Sequence, residues 1–178
     1  AVYFATVKTL ALVHFVYFAV KAGVAQRYAQ FTHADPEKLA DFARETVSWT
    51  FWPSLTMALV VLVLGKPMLI LFGPEFAEGY PLLFLLVFGV VARAAVGPCE
   101  SLLTMSGNQN ICAVVYAMTL ALNIGLNVVL IPAFGLWGAA ISTAAAMVFE
   151  ATALSFTVWR KLSIRMAIFI PAVDTRGV

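Results

Sequence analysis

Five long apolar stretches, separated by short polar turns, fill most of the chain. Each is about the length of the run of roughly 20 apolar residues that a helix needs to cross the hydrocarbon core of a bilayer. None carries the charged face that a soluble helix of this length would present. The pattern therefore predicts an all-α fold, a polytopic transmembrane bundle of about five spanning helices. The predicted spans are residues 1–20, 49–72, 80–105, 111–131 and 135–158.

One polar segment, residues 21–48, is much longer than the other connections. Within it, Asp35 followed by Pro36 is typical of a helix start, with a capping side chain and then proline at the first helical position. Apolar residues recur at helical spacing over 39–46, while the charged residues face elsewhere. This predicts a cytoplasmic loop at 25–48 that contains one short amphipathic helix on the membrane surface.

The composition agrees with a membrane protein and excludes several other classes. Mean hydropathy is +0.94, and 62% of residues are hydrophobic against 11% charged, too little polar surface for a soluble globule. The net charge of +2 and the absence of basic residues interleaved with aromatics predict no nucleic-acid partner. Cys99 and Cys112 have no metal-type spacing, so we interpret them as apolar packing residues and predict no metal or cofactor.

The chain begins inside an apolar run without a basic flank, which is not the pattern of a signal peptide. We interpret residues 1–165 as a single transmembrane bundle, the C-terminal half of a larger transporter whose N-terminal helices are missing. Residues 166–178 form a C-terminal tail. Its apolar part is too short to cross a bilayer and is interrupted by Pro171.

The orientation follows from lysine and arginine, which are enriched in cytoplasmic loops. Basic residues are concentrated in the first loop and in the tail, and five crossings place these two regions on the same side. The sequence therefore predicts a multi-pass protein of the inner (cytoplasmic) membrane with a cytoplasmic C-terminus. The basic residues concerned are Lys21, Arg27, Lys38, Arg44, Arg160, Lys161, Arg165 and Arg176.

Two ionisable residues, Arg93 and Glu100, fall inside the third span. A charge near the bilayer centre costs at least about 2.5–3.5 kcal/mol, so such residues usually face a protein interior or a wet cavity. At 1.5 Å per residue they are about 10 Å apart along an ideal helix, so each is expected to pair with another helix. The expected partners are Glu150 and Lys8.

Small and ionisable residues share one face of this span, and Pro98 is expected to bend it. That face comprises Gly89, Arg93, Gly97, Glu100 and Thr104.

These charges allow two interpretations. In the first, they line a substrate cavity, where Arg93 and Lys8 attract an anionic head group while Glu100 and Glu150 titrate or pair with the cations. In the second, they form salt bridges that only fix helix packing. Asn123 and Asn127, four residues apart, are expected to form interhelical hydrogen bonds or, as a lesser alternative, to contact substrate.

Three short motifs resemble a known family. Residues 123–143 read Asn-Ile-Gly-Leu-Asn, then Ile-Pro-Ala-Phe-Gly-Leu-Trp-Gly-Ala-Ala and Ser-Thr. This order is similar to the last helices of polysaccharide flippases in the multidrug/oligosaccharidyl-lipid/polysaccharide exporter superfamily. Residues 71–76, Leu-Phe-Gly-Pro-Glu-Phe, and the Ser-Gly-Asn turn at 106–108 also resemble that family. The resemblance covers roughly residues 53–164.

The resemblance implies a transporter of about a dozen helices in two bundles around a central, typically cationic cavity. Such a protein turns lipid-linked oligosaccharide, a polysaccharide repeat unit, across the membrane by alternating access. One alternative is a cation-coupled multidrug antiporter of the same superfamily, whose cavity would be mostly acidic. Another is a non-transporting scaffold subunit, in which Arg93, Glu100 and Glu150 would all be bridged and dry. No phosphate-binding glycine loop, zinc site or nucleophile elbow supports an enzyme.

Overall fold

A computed structural model describes residues 2–34, 36–71, 73–166 and 168. The described residues form helices and connecting turns, with no strand among them. A 3-10 helix, Pro74–Gly79, precedes the third α-helix. The α-helices are α1 Val2–Ala34, α2 Pro36–Ile70, α3 Tyr80–Ala94, α4 Cys99–Met105, α5 Gln109–Phe134 and α6 Leu136–Leu162.

Five segments of these helices are long and apolar enough to cross a membrane, which confirms the predicted all-α bundle. Helices α3 and α4 together supply the third span. The spans cover Thr6–Thr32, Lys38–Ile70, Ala77–Met105, Gln109–Phe134 and Leu136–Leu162.

The first two helices are longer than their apolar stretches, and this corrects the predicted loop at 25–48. The amphipathic segment is not a separate interfacial helix but the first part of α2, which continues without interruption into the span. The reason is packing: Val24 and Tyr28 of α1 lie in one buried cluster with Leu39 and Phe42 of α2. The predicted cap at Asp35 lies outside the described residues.

The helices pack so that α1 contacts α2 and the third span, while α6 contacts α3 and α5. Helix α5 lies at the periphery. Its buried residues in the structure are Cys112 and Val115, and its remaining described length is exposed or half-buried. Both cysteines are buried free thiols, as expected of packing residues.

The third span is broken rather than bent. Helix α3 ends at Ala94 and α4 begins at Cys99, and Pro98 lies directly before α4. Proline has no backbone N–H and leaves one hydrogen bond of the helical ladder unmade. The chain turns instead through Gly97, whose φ is +66°, and the Cys99 N–H donates to the Gly97 carbonyl at 2.9 Å.

The break leaves the Ala95 carbonyl without its helical donor, and the segment after α6 supplies another. The Ile168 N–H donates to the Ala95 carbonyl at 3.0 Å. The same segment accepts a hydrogen bond at the Met166 carbonyl from Ser155 Oγ of α6, at 2.9 Å. The chain beyond α6 therefore returns along that helix and caps the broken span.

Replacing Gly97 by alanine is expected to destabilise the protein by about 1–3 kcal/mol, because its positive φ is strained for residues with a Cβ. The new Cβ would also lie 2.9 Å from Cγ2 and 3.0 Å from the backbone α-carbon of Val47. Thermal unfolding in detergent would measure the loss. Adding Val47→Ala would remove Cγ2 but would leave both the close approach to the backbone of α2 and the positive φ, so stability should not return fully.

Gly23→Ala is the matched control, because a Cβ at this helical position meets nothing within 4 Å. It is expected to unfold at the wild-type temperature or slightly above it. If Gly97→Ala behaved like Gly23→Ala, the positive-φ turn between α3 and α4 would be wrong.

Candidate functional site: paired charges at the broken span

The break in the third span places one ionisable residue on each side of it. Arg93 lies in the last turn of α3, and Glu100 lies in the first turn of α4. A cation near a helix C-terminus and an acid near a helix N-terminus both interact favourably with the backbone dipoles. The broken span therefore suits these two charges better than one continuous helix would.

Arg93 pairs with Glu150 of α6, as the sequence predicted. The Arg93 Nη2 and Glu150 Oε1 atoms are 2.8 Å apart, and the two side chains are 17% and 9% exposed. The guanidinium also lies over the ring of Tyr17 on α1, 5.0 Å from its centroid. Both charged groups therefore point into the bundle rather than toward acyl chains.

Glu100 pairs with Lys21 of α1, and this corrects the predicted pairing with Lys8. Lys21 Nζ and Glu100 Oε2 are 2.5 Å apart, and the two side chains are 26% and 22% exposed. Tyr116 of α5 lies close to the same carboxylate. Lys8 is exposed, with its Nζ 5.1 Å from the centroid of the Phe4 ring.

The sequence interpretation missed Lys21 because it ended the first span at Val20 and assigned Lys21 to a loop. The available signal was spacing, since Tyr17 and Lys21 are one helical turn apart and share a face. In the structure, that face of α1 meets Arg93 through Tyr17 and Glu100 through Lys21. Two cations and two acids thus balance in the described site, which is neither mostly cationic nor mostly acidic.

A groove of about 430 Å³ lies beside the Lys21–Glu100 pair, between α1 and α4. One charged pair in a largely apolar groove can accept an amphiphile, with its polar group at the pair and its apolar part along the walls. We call this the α1–α4 groove. Its other lining residues are Phe18, Ala22, Ala25, Ser101, Thr104 and Met105.

The small residues of the predicted face serve close packing with different neighbours. A Cβ at Gly89 would lie 3.1 Å from the backbone α-carbon of Ala144 on α6. Gly97 packs against α2 at Val47, and the Thr104 hydroxyl lies 3.9 Å from the sulfur of Cys112 on α5. The break therefore divides what the sequence predicted as one continuous face.

The asparagine pair of α5 bonds within its own helix. Asn127 Nδ2 donates to both the backbone carbonyl and Oδ1 of Asn123, each at 2.9 Å. Both side chains are half-buried. The sequence predicted interhelical hydrogen bonds for this pair, but the hydrogen bonds described for it lie within α5.

Comparison of the chain with known protein families, curated proteins and solved structures finds no match. The resemblance to polysaccharide flippases therefore stays a prediction from three short motifs, to be weighed with the geometry of the paired charges.

Proposed function

We propose that the protein transports a lipid-linked oligosaccharide across the cytoplasmic membrane by alternating access, as part of a larger bundle with a cytoplasmic C-terminus. One observation carries the proposal. Two ion pairs lie inside a bundle of five membrane-length helices, on the two sides of a break in one span. Ionisable groups within membrane-spanning segments usually mark substrate or ion pathways. Discontinuous helices often form the binding sites of transporters.

The pairs connect the two halves of the broken span to different helices. Arg93 connects α3 to α6 through Glu150, whereas Glu100 connects α4 to α1 through Lys21. Movement at the break would let α1 and α4 shift together relative to α3 and α6. In this proposal an anionic head group replaces Glu100 on Lys21, while the lipid part occupies the α1–α4 groove.

A scaffold without transport activity is the second candidate, because Arg93, Glu100 and Glu150 are all paired as that alternative requires. Two features favour transport. The Lys21–Glu100 pair keeps about a quarter of each side chain exposed, and it borders an open groove rather than a closed core. The balanced charges do not favour a cation-coupled antiporter, which would need a mostly acidic cavity.

Complementation of a strain unable to export its surface polysaccharide tests the proposal with the full-length gene. Lys21→Gln combined with Glu100→Gln removes both charges while keeping their size, so membrane abundance should stay normal. Export should fall at least about tenfold, since a lost charge-assisted contact to a bound group costs about 1.5–3 kcal/mol. Surface polysaccharide per copy of membrane protein is the measurement.

Lys66→Gln, at an exposed lysine of α2, is the control and should export normally. The charge-reversed pair Lys21→Glu with Glu100→Lys separates the two candidates. A scaffold should regain full function with the reversed bridge, whereas a transporter should not. Normal export by the doubly neutral variant would contradict the proposed role of this pair.

A further inference from the structure

A second groove, of about 440 Å³, lies on the opposite face of α6 from the ion pairs. Thr152, for example, follows Glu150 by two residues, about 200° around an ideal helix. We call it the α6 groove, and it is separate from the α1–α4 groove. Its lining residues are Val96, Thr152, Ser155, Phe156, Trp159, Arg165 and Met166.

One end of the α6 groove is basic. The Arg165 guanidinium lies over the Trp159 indole, 5.6 Å from the ring centroid, and Arg160 lies 5.8 Å from the centroid of Phe156. Among the described residues that line the groove, Arg165 is the charged one and none is acidic. This end of the groove therefore attracts an anion, because its described lining contains a cation and no acidic residue.

The position of Arg165 is fixed by its neighbours. The chain turns at Ser163, whose φ is +56°, and runs back along α6. Ile164 and Met166 are buried, and the Met166 carbonyl accepts the hydrogen bond from Ser155. Because Ile164 and Met166 point inward, Arg165 between them is exposed beside the groove.

We infer that the α6 groove binds an anionic phospholipid of the surrounding membrane. Its acyl chain lies along Phe156, Val96 and Met166, and its phosphate meets Arg165 and Arg160. An apolar groove with arginines at one end matches a lipid better than a soluble anion, which has no part to fill the apolar length. Basic pockets beside transmembrane helices bind anionic headgroups, and tryptophan is enriched at the level of the headgroups. The inference does not depend on the proposed transport function.

Fluorescence quenching by brominated lipids tests the inference, because Trp159 is itself a wall of the groove. Trp49, Trp52 and Trp137 are replaced by phenylalanine, and the full chain is placed in phosphatidylcholine bilayers. Brominated phosphatidylglycerol or brominated phosphatidylcholine is then added at equal mole fractions. Half-maximal quenching of Trp159 should need a several-fold lower mole fraction of the anionic lipid. A variant that keeps Trp137 instead should show no such preference, because Trp137 lies in a groove with no charged residue among its described lining.

Three further variants locate the charge that selects the lipid. Arg165→Gln should bring the two quenching curves together, and Arg165→Lys should keep most of the preference. Arg44→Gln is the matched control, because Arg44 pairs with Asp41 and is not among the residues that line the groove, and it should leave the preference unchanged.

The protein that keeps Arg160 and Arg165 tests the inference by itself, even if a variant fails to fold. Equal quenching by the two lipids would overturn the selectivity for anions. Absence of quenching by either lipid would show that protein rather than lipid covers Trp159, and this would also overturn the inference. A preference that survives Arg165→Gln in a folded protein would exclude the proposed phosphate contact.

Discussion

Arg93→Leu is expected to destabilise the protein by about 3–5 kcal/mol, because it leaves the Glu150 carboxylate buried without its cation. Glu150 is 9% exposed and has Arg93 as its ion-pair partner at 2.8 Å. An unpaired charge within a membrane-spanning segment is more costly than one at a surface. Thermal unfolding in detergent or bicelles measures the loss, together with the yield of folded protein.

The double variant Arg93→Leu with Glu150→Leu separates loss of the pair from exposure of an unpaired charge. When both charges are replaced by apolar side chains of similar volume, stability is often retained. We therefore expect the double variant to recover most of what the single variant loses. A double variant as unstable as Arg93→Leu would show that the pair itself, rather than the orphaned acid, carries the stability.

Arg44→Leu is the comparison for an exposed pair. Arg44 and Asp41 are 3.6 Å apart on α2, and the Asp41 side chain is 81% exposed. Pairs of this kind contribute about 0–1 kcal/mol. If Arg93→Leu cost no more than Arg44→Leu, the buried position of the Arg93–Glu150 pair would be contradicted.

The double variant Arg93→Leu with Glu150→Leu also tests the proposed transport function. A folded protein without this pair that still exports polysaccharide would leave Arg93 and Glu150 with a packing role alone. A folded protein that has lost export would mean that the charges do more than hold α3 against α6. Stability and export together therefore distinguish outcomes that either measurement alone would confuse.

Hydropathy was sufficient to predict the spans, because a bilayer requires apolar length and every span contains it. It was not sufficient to predict where the helices end. Helices α1 and α2 continue through the polar segment because Tyr28 and Phe42 pack together, with ring centroids 5.3 Å apart, beyond the apolar stretches. Such contacts between two helices have no signature in the hydropathy of either one.

The charged site shows the same division between what one helix reveals and what packing adds. Arg93 and Glu100 were identifiable because an ionisable residue in an apolar span is conspicuous. The partner of Arg93 was found for the same reason, since Glu150 also lies within a span. Lys21 lies near the end of an apolar stretch, where lysine is common. Its spacing from Tyr17 indicates a shared face, but the packing of α1 on α4 is what identifies Glu100 as its partner.

The third span illustrates a limit of periodicity. Proline predicted a bend, but the extent of the change depends on what satisfies the freed backbone groups. Here the Ile168 N–H reaches the Ala95 carbonyl, from a segment more than 70 residues later in the chain. A full break is therefore stable in this protein, and the residues of one predicted face contact different helices.

Gly138→Ala is expected to have the other large effect, at the start of α6. This buried glycine faces the backbone of α5, and an added Cβ would overlap the Leu130 carbonyl and lie 2.8 Å from the Ile131 nitrogen. Backbone atoms cannot rotate away as a side chain can, so α5 and α6 would have to separate. We expect a loss of about 3 kcal/mol or more, at or above the upper end of ordinary overpacking.

Gly125→Ala is the control within the same pair of helices. Gly125 lies in α5, is exposed, and would place its Cβ where nothing lies within 4 Å. Alanine in a helix interior is favoured over glycine by about 0.5–1 kcal/mol, so this variant should be as stable as wild type or slightly more stable. Parallel thermal unfolding of the two variants measures the difference. Equal stabilities would mean that α5 and α6 do not approach closely at Gly138, and the packing that holds peripheral α5 on the bundle would then need another explanation.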